Sequence, residues 1–165
     1  MDLKRIAGHL AMTPGRLRRA LSPQGLAAIE TAITASEALH AGQIRFAVEA
    51  SLEVAPLIRG QSARDRAIEV FSELRVWDTE HNSGVLVYLL LADRSIEIVA
   101  DRGVHARVSQ QELESICRGM EAACRQGRFS EGVVGAIDGL TRHLVKHFPA
   151  SEGGGNELPD APAFV

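Results

Sequence analysis

The chain has only two cysteines among 165 residues. They fall seven apart on a predicted helix, where a rise of about 1.5 Å per residue separates the Cα atoms of Cys117 and Cys124 by roughly 10 Å, too far for a disulfide. Both are expected to be core thiols. A cysteine phosphatase needs an arginine six residues after its nucleophile, and those positions hold Ala123 and Ser130. No apolar segment approaches the roughly 20 residues of a membrane-spanning helix, and Met1 to Ala20 lacks the apolar core of a secretory signal. The expectation is a cytoplasmic protein, not an integral membrane one. A formal net charge of -3 gives no general affinity for nucleic acid, although Lys4, Arg5, Arg16, Arg18 and Arg19 face only Asp2 in the first twenty residues. Asp-x-Asp nucleophile motifs, phosphate-binding glycine loops, Gly-x-Ser-x-Gly elbows and His-Glu-x-x-His pairs are all missing.

What is there is organised around Trp77 to Gly103. Val85 to Ala92 is the longest apolar run, bounded by Asn82-Ser83-Gly84 and Asp93-Arg94-Ser95. A short run between turn residues fits a central strand covered on both faces. After the turn, Ile96, Ile98 and Ala100 alternate with Glu97, Val99 and Asp101, as in a strand burying mainly one face.

Upstream, Ser22 with Pro23 behind it opens a helix with Leu26, Ile29 and Ile33 inward, ending near Ala41-Gly42. Gln43 to Leu52 alternates as a half-buried strand closed by Pro56 and Gly60. Ser62 and Asp65 form a capping box for a helix whose Ala67, Ile68, Phe71 and Leu74 share a face. Strand, helix, strand implies a parallel crossover, and the short Asp93-Arg94 turn then demands an antiparallel hairpin. Two helices follow, one opened by Ser109 and Glu112 and one capped by Ser130, until Pro149. The sum is an α/β protein, a three-layer α/β/α sandwich with a small mixed sheet and helices on both faces. A hydrophobic content of 45% with 24% charged residues suits one soluble domain. Residues 1–20 are expected to be a basic arm or short helix, largely solvated. Residues 21–149 form the domain, and 150–165, with Gly153-Gly154-Gly155, a flexible tail ending in the partly apolar Leu158 to Val165.

Three segments, FSELRVWDTEHNSGVLVYLLLADRSIEIVADRG (Phe71 to Gly103), the helix after it, and GRFSEGVVGAIDGL (Gly127 to Leu140), resemble the TPM domain family. The resemblance covers roughly Leu21 to Phe148. It implies an α/β/α sandwich, and its members are associated with acid phosphatase activity and with divalent metal, chiefly calcium. The family's Asp-x-x-x-Asn and following glycine match Asp78, Asn82 and Gly84. Many members, generally exported, continue after the third strand with Gly-x-Gly-Leu-Glu and a later aspartate. This chain instead has Asp101-Arg102-Gly103-Val104-His105-Ala106-Arg107, and so looks like a cytoplasmic branch.

Asp78, Glu80, Asn82 and Asp101 offer the hard oxygen ligands that Ca2+ or Mg2+ take, with Asp78 and Asn82 direct and Glu80 or Asp101 auxiliary. The alternative is that Asp78 and Asn82 cap their own loop. Arg102 and Arg107 are the candidates to hold a phosphate. His143 and His147 have zinc-ligand spacing without a third ligand, and His81 and His105 flank the organising stretch as candidate acid and base. The expected function is a noncatalytic divalent-metal-binding or protein-interaction module, its partner met through the basic N-terminus or Leu158 to Val165. The alternative is a weak metal-dependent acid phosphatase.

Overall fold

The computed structural model describes residues 2–150 and 155–165. Strands β1 (Gln43–Glu49), β2 (Gly84–Leu90), β3 (Ser95–Ala100) and β4 (Ala163–Phe164) form one sheet in the order β3-β2-β1-β4. β1 and β2 are parallel, from Gln43 opposite Gly84 to Glu49 opposite Leu90. β2 and β3 are antiparallel, from Val85 opposite Ala100 to Leu90 opposite Ser95.

Every residue of β2 is buried, and its alternation divides the core in two. Val85, Val87 and Leu89 join Ile44, Phe46, Val48, Ile96 and Ile98 on one face. Leu86, Tyr88 and Leu90 join Ala47 and Val99 on the other. Each large apolar side chain so buried contributes about 1.5–3 kcal/mol. Helices α3 (Pro23–Glu37), α7 (Gln110–Arg125) and α8 (Phe129–His147) cover the first face through Ile29, Ile33, Leu113, Met120, Ile137 and Leu140. Helices α4 (Val54–Ile58) and α5 (Ala63–Glu73) cover the second through Leu57, Ala63, Ala67 and Val70. The three-layer α/β/α sandwich with a mixed sheet is therefore present, with eight helical segments among the described residues rather than about five.

The additional helices are α2 (Pro14–Ala20), α4 and α6 (Arg102–His105), all too short to show a periodic pattern, while α1 (Leu3–Leu10) is the short N-terminal helix with Leu3, Ile6 and Leu10. Pro56 lies within α4, near its start, where a missing N–H costs no helical bond. Both serine capping boxes form as expected, Ser62 with Asp65 and Ser109 with Glu112. Ser130 does not cap α8, which starts at Phe129 without a side-chain cap.

β1 is buried on both faces rather than one. Its Glu49 accepts from Tyr88 Oη at 2.7 Å and from Arg66 Nε at 2.9 Å, which makes a buried carboxylate tolerable. Arg66, with Arg64 donating to the Ile98 carbonyl at 2.7 Å, fixes the rotation of α5. Its buried stripe is consequently Ala63, Ala67 and Val70, and Ile68 faces solvent.

The first twenty residues form two short helices, mostly exposed, of which α1 is tied to the domain. Asp2 caps α1, and Thr13 with Pro14 opens α2. Arg5 forks onto Asp93 with Nε at 3.0 Å and a terminal nitrogen at 2.8 Å from one oxygen. His9 Nδ1 must accept, because the Leu52 N–H donates to it at 3.0 Å. Its Nε2 therefore carries the hydrogen donated to Asp93 Oδ1 at 2.9 Å. Burial pushes Asp93 up, but the Arg5 and His9 bonds outweigh it and hold the carboxyl below its usual range.

The C-terminal segment is likewise tied to the domain. Gly153 and Gly154 lie outside the described residues, but Leu158 and Ala163 are buried in the second core. β4 pairs in parallel with β1, Ala163 opposite Ala47. Pro159 and Pro162 hide this strand from a sequence pattern, since prolines donate nothing to a ladder and are tolerated only at an edge.

Asp93→Asn removes the charge that gathers Arg5 and His9, and is expected to cost about 1–3 kcal/mol in urea unfolding. A change within about 0.5 kcal/mol would show that α1 adds nothing to the fold.

Candidate functional site

The site is built where the chain enters β2. Arg75 and Asn82 both adopt left-handed backbone conformations, with φ of 54° and 49°, and turn the chain between α5 and the strand. Within this turn Asp78 N donates to Arg75 O at 2.9 Å, and Ser83 N donates to Thr79 Oγ1 at 2.9 Å. Gly84 starts the strand against the Val76 carbonyl, which occupies the space a Cβ would need. That close approach is why a glycine stands there.

The opposite wall is the end of β3. Asp101 N donates to Gly84 O at 2.8 Å, and Gly103 N to Asn82 O at 3.1 Å. A Cβ on Gly103 would lie 2.5 Å from Asn82 O and 2.7 Å from His81 O, so two loop carbonyls pack directly on this backbone. Asp101 caps α6 through Oδ1, which accepts from Arg102 N at 2.7 Å. Its other oxygen, Oδ2, is buried and receives no hydrogen bond. A buried carboxylate oxygen without a donor is costly, and such a group calls for a specific reason.

The structure gathers some of the expected residues and separates others. Asn82, Asp101 and Arg102 meet, with Arg102 Nε 3.4 Å from Asn82 Oδ1. Asp78 is exposed and pairs with Arg75 at 2.8 Å, an ion pair of small energetic weight. Glu80 is exposed, and its N–H donates to Glu157 at 2.9 Å. Arg107 stacks over the Phe148 ring at 4.6 Å. Among the described residues, no group of three or more His, Cys, Asp or Glu side chains is placed to hold a metal ion. His81 and His105 are exposed, and His143 lies 3.8 Å from Glu112. Burial pushes the Cys117 and Cys124 thiols up to about 11, as befits core thiols.

Sequence reasoning missed the part played by the C-terminal segment. Glu157 caps the loop at Glu80, while the Gln43 side-chain oxygen receives the N–H groups of Glu157 and Leu158 at 2.8 and 3.1 Å. No local motif announces a contact across more than a hundred residues; the apolar Leu158 to Val165 was its only signal.

The TPM domain profile matches residues 17–143, most of the chain and all of the loop, strand and turn just described. The chain belongs to the TPM domain family. The NMR structure of BA42 protein from the psychrophilic bacterium Bizionia argentinensis superposes with a TM-score of 0.77 at 28% identity, over 88% of this chain and 95% of that one. The solution NMR structure of the N-terminal domain of a P. gingivalis protein gives a TM-score of 0.62 at 17% identity, over 79% of this chain and 82% of that one, a likeness of fold alone. No curated protein compared with the chain matches it. In this TPM domain the matched segment holds the whole loop and β3 wall, whereas α1, β4 and Glu157 lie outside it.

Gly84→Ala drives a methyl into the Val76 carbonyl and is expected to cost at least about 2 kcal/mol in chemical denaturation. Gly135→Ala, in α8 with open space around it, is expected to be neutral or to stabilise by up to about 1 kcal/mol. Equal effects of the two would contradict the close approach at the start of β2.

Proposed function

We propose that this TPM domain is a noncatalytic module whose junction between the 78–82 loop and the end of β3 takes one divalent cation, Ca2+ or Mg2+, as a structural ligand. The observation supporting this reading is the buried Asp101 Oδ2 without a donor. Asn82 Oδ1 lies on the other side of the junction, linked to it through Arg102, and both are hard oxygen atoms. Asp101 and Asn82 would hold the ion, water completing its six to eight oxygens. Asp78 and Glu80, expected as ligands, are tied to Arg75 and Glu157 and play no direct part. A bound cation supplies charge neutralisation at Asp101 and ties the loop to β3. Arg102 occupies part of that role already, because its guanidinium reaches Asn82, so binding is expected to be weak and to displace that contact.

The phosphatase alternative has less support. Arg107 is engaged on Phe148, Ser83 is buried, and the two thiols are held protonated at neutral pH. A protein partner would find the exposed Leu3, Leu10, Arg16, Arg18 and Arg19 of α1 and α2. That surface is what supports a protein-interaction role beside the cation.

The test is a Ca2+ and Mg2+ titration followed by backbone amide NMR on the full chain, on Asp101→Asn and on Asp78→Ala. Saturable shifts at Asn82 to Gly84 and Asp101 to Gly103, abolished in Asp101→Asn and kept in Asp78→Ala, are expected. Shifts spread over every acidic surface residue, or lost only in Asp78→Ala, would overturn the assignment.

A further inference from the structure

The C-terminal segment runs alongside β1 from Gln43 to Val48, yet backbone pairing is confined to its last residues, Ala163 with Ala47, Phe164 with Val48, and Val165 N donating to Val48 O at 3.1 Å. Over the first half, β1 holds the segment with side chains. Gln43 receives two of its N–H groups, and Arg45 donates to the carbonyls of Pro159 and Ala161. Leu158 and Ala163 are the apolar anchors. Glu157 reaches across to the N–H of Glu80, so the segment also grips the loop that leads into β2.

The strap also passes a buried carboxyl oxygen that has no partner. Glu37, near the end of α3, uses Oε1 to accept from Ile44 N at 2.7 Å. Its Oε2 is buried and has no donor, and Asp160 of the strap, bonded to Thr34 one turn earlier on α3, lines the same cavity. Two carboxylates cannot hydrogen-bond; one carboxyl and one carboxylate can. Asp160 is itself tethered, by Asn156 Nδ2 at 2.6 Å and by Thr34 Oγ1.

We propose that residues 156–165 form a releasable strap, latched across β1 by a proton shared between Glu37 and Asp160, whose release bares the edge of β1 and frees the 78–82 loop. The charges around the latch favour the proton. Glu157 of the strap is the acidic neighbour that does so, Glu80 and His81 of the loop and His40 beyond α3 line the same cavity, and Arg45 from β1 is the nearby cation on Asp160. Burial first, then the Asp160 and Glu157 charges, raise Glu37 from its usual 4.5 to about 7, against a lowering from the Ile44 N–H. A carboxyl raised in the docked state binds its proton more tightly there than when released. Docking is therefore strongest below about pH 4.5, weakens as pH rises, and reaches its weakest level above about pH 7. Linkage limits the change to about tenfold per pH unit within that window. The proposal is independent of any cation at Asp101.

The experiment is amide hydrogen exchange by NMR on the full chain between pH 5 and pH 8, corrected for the intrinsic rate. The reporters are Glu157, Leu158 and Val165, with Leu86 and Val87 as internal standards for the core. Protection of the three reporters is expected to fall at least tenfold from pH 5 to pH 8 while the standards hold. In Glu37→Gln the amide donates to Asp160 at every pH, so reporter protection at pH 8 is expected to stay at its pH 5 level. Asp160→Asn supplies a donor from the other side and is expected to behave alike. Reporter protection independent of pH in the natural chain, or a fall that survives unchanged in both variants, would overturn the proposal.

Discussion

A strand buried on both faces is the constraint from which the remainder follows. β2 has no solvent side, so each alternate residue needs its own layer of helices, and the chain must provide two cores from one sheet. The first is generous, with the long helices α3, α7 and α8. The second has only α4 and α5 from within the family segment, and Ile6 of α1 with Leu158 and Ala163 of the strap completes it. Both chain ends are thus recruited by the same deficit of apolar cover. They are secured by polar locks at opposite places, Arg5 and His9 on Asp93, Gln43 and Arg45 on the strap.

Much of this was legible from residues alone. The apolar run from Val85, the two serine capping boxes and the short Asp93-Arg94 turn specify strand, helices and hairpin through local physics. The signal failed where structure depends on distant partners. Nothing near Glu49 says that Tyr88 and Arg66 will satisfy it, so β1 reads as half-buried. Nothing near Ile68 says that Arg64 and Arg66 will rotate α5 and leave it outside. The prolines that protect the edge of the sheet disguise β4 as a tail. In the site, residue types were legible but not directions. On paper Asp78 is the direct ligand and Asp101 an auxiliary one, yet Asp78 is exposed beside Arg75 while Asp101 keeps a buried oxygen without a donor.

That asymmetry gives the site its character. Arg102 follows Asp101 directly, donates its N–H to that carboxylate and extends its guanidinium to Asn82, so a covalently attached cation bridges the two walls. The external cation proposed for the same junction would compete with it and finish what it leaves undone at Oδ2. The strap acts on the same loop from the other side through Glu157 and Glu80. Loop position is therefore the common variable on which the proposed cation and the C-terminal strap would both act.

The most direct measurement is the unfolding free energy of Asp101→Asn in chelator, beside the natural chain. Asparagine keeps an oxygen to cap α6, and it replaces a buried, donorless charged oxygen with a neutral amide. If Oδ2 is held for a cation, the variant unfolds within about 0.5 kcal/mol of the natural chain, or above it. A loss of more than about 1.5 kcal/mol would contradict the account, because it would show that the carboxylate is already satisfied within the fold.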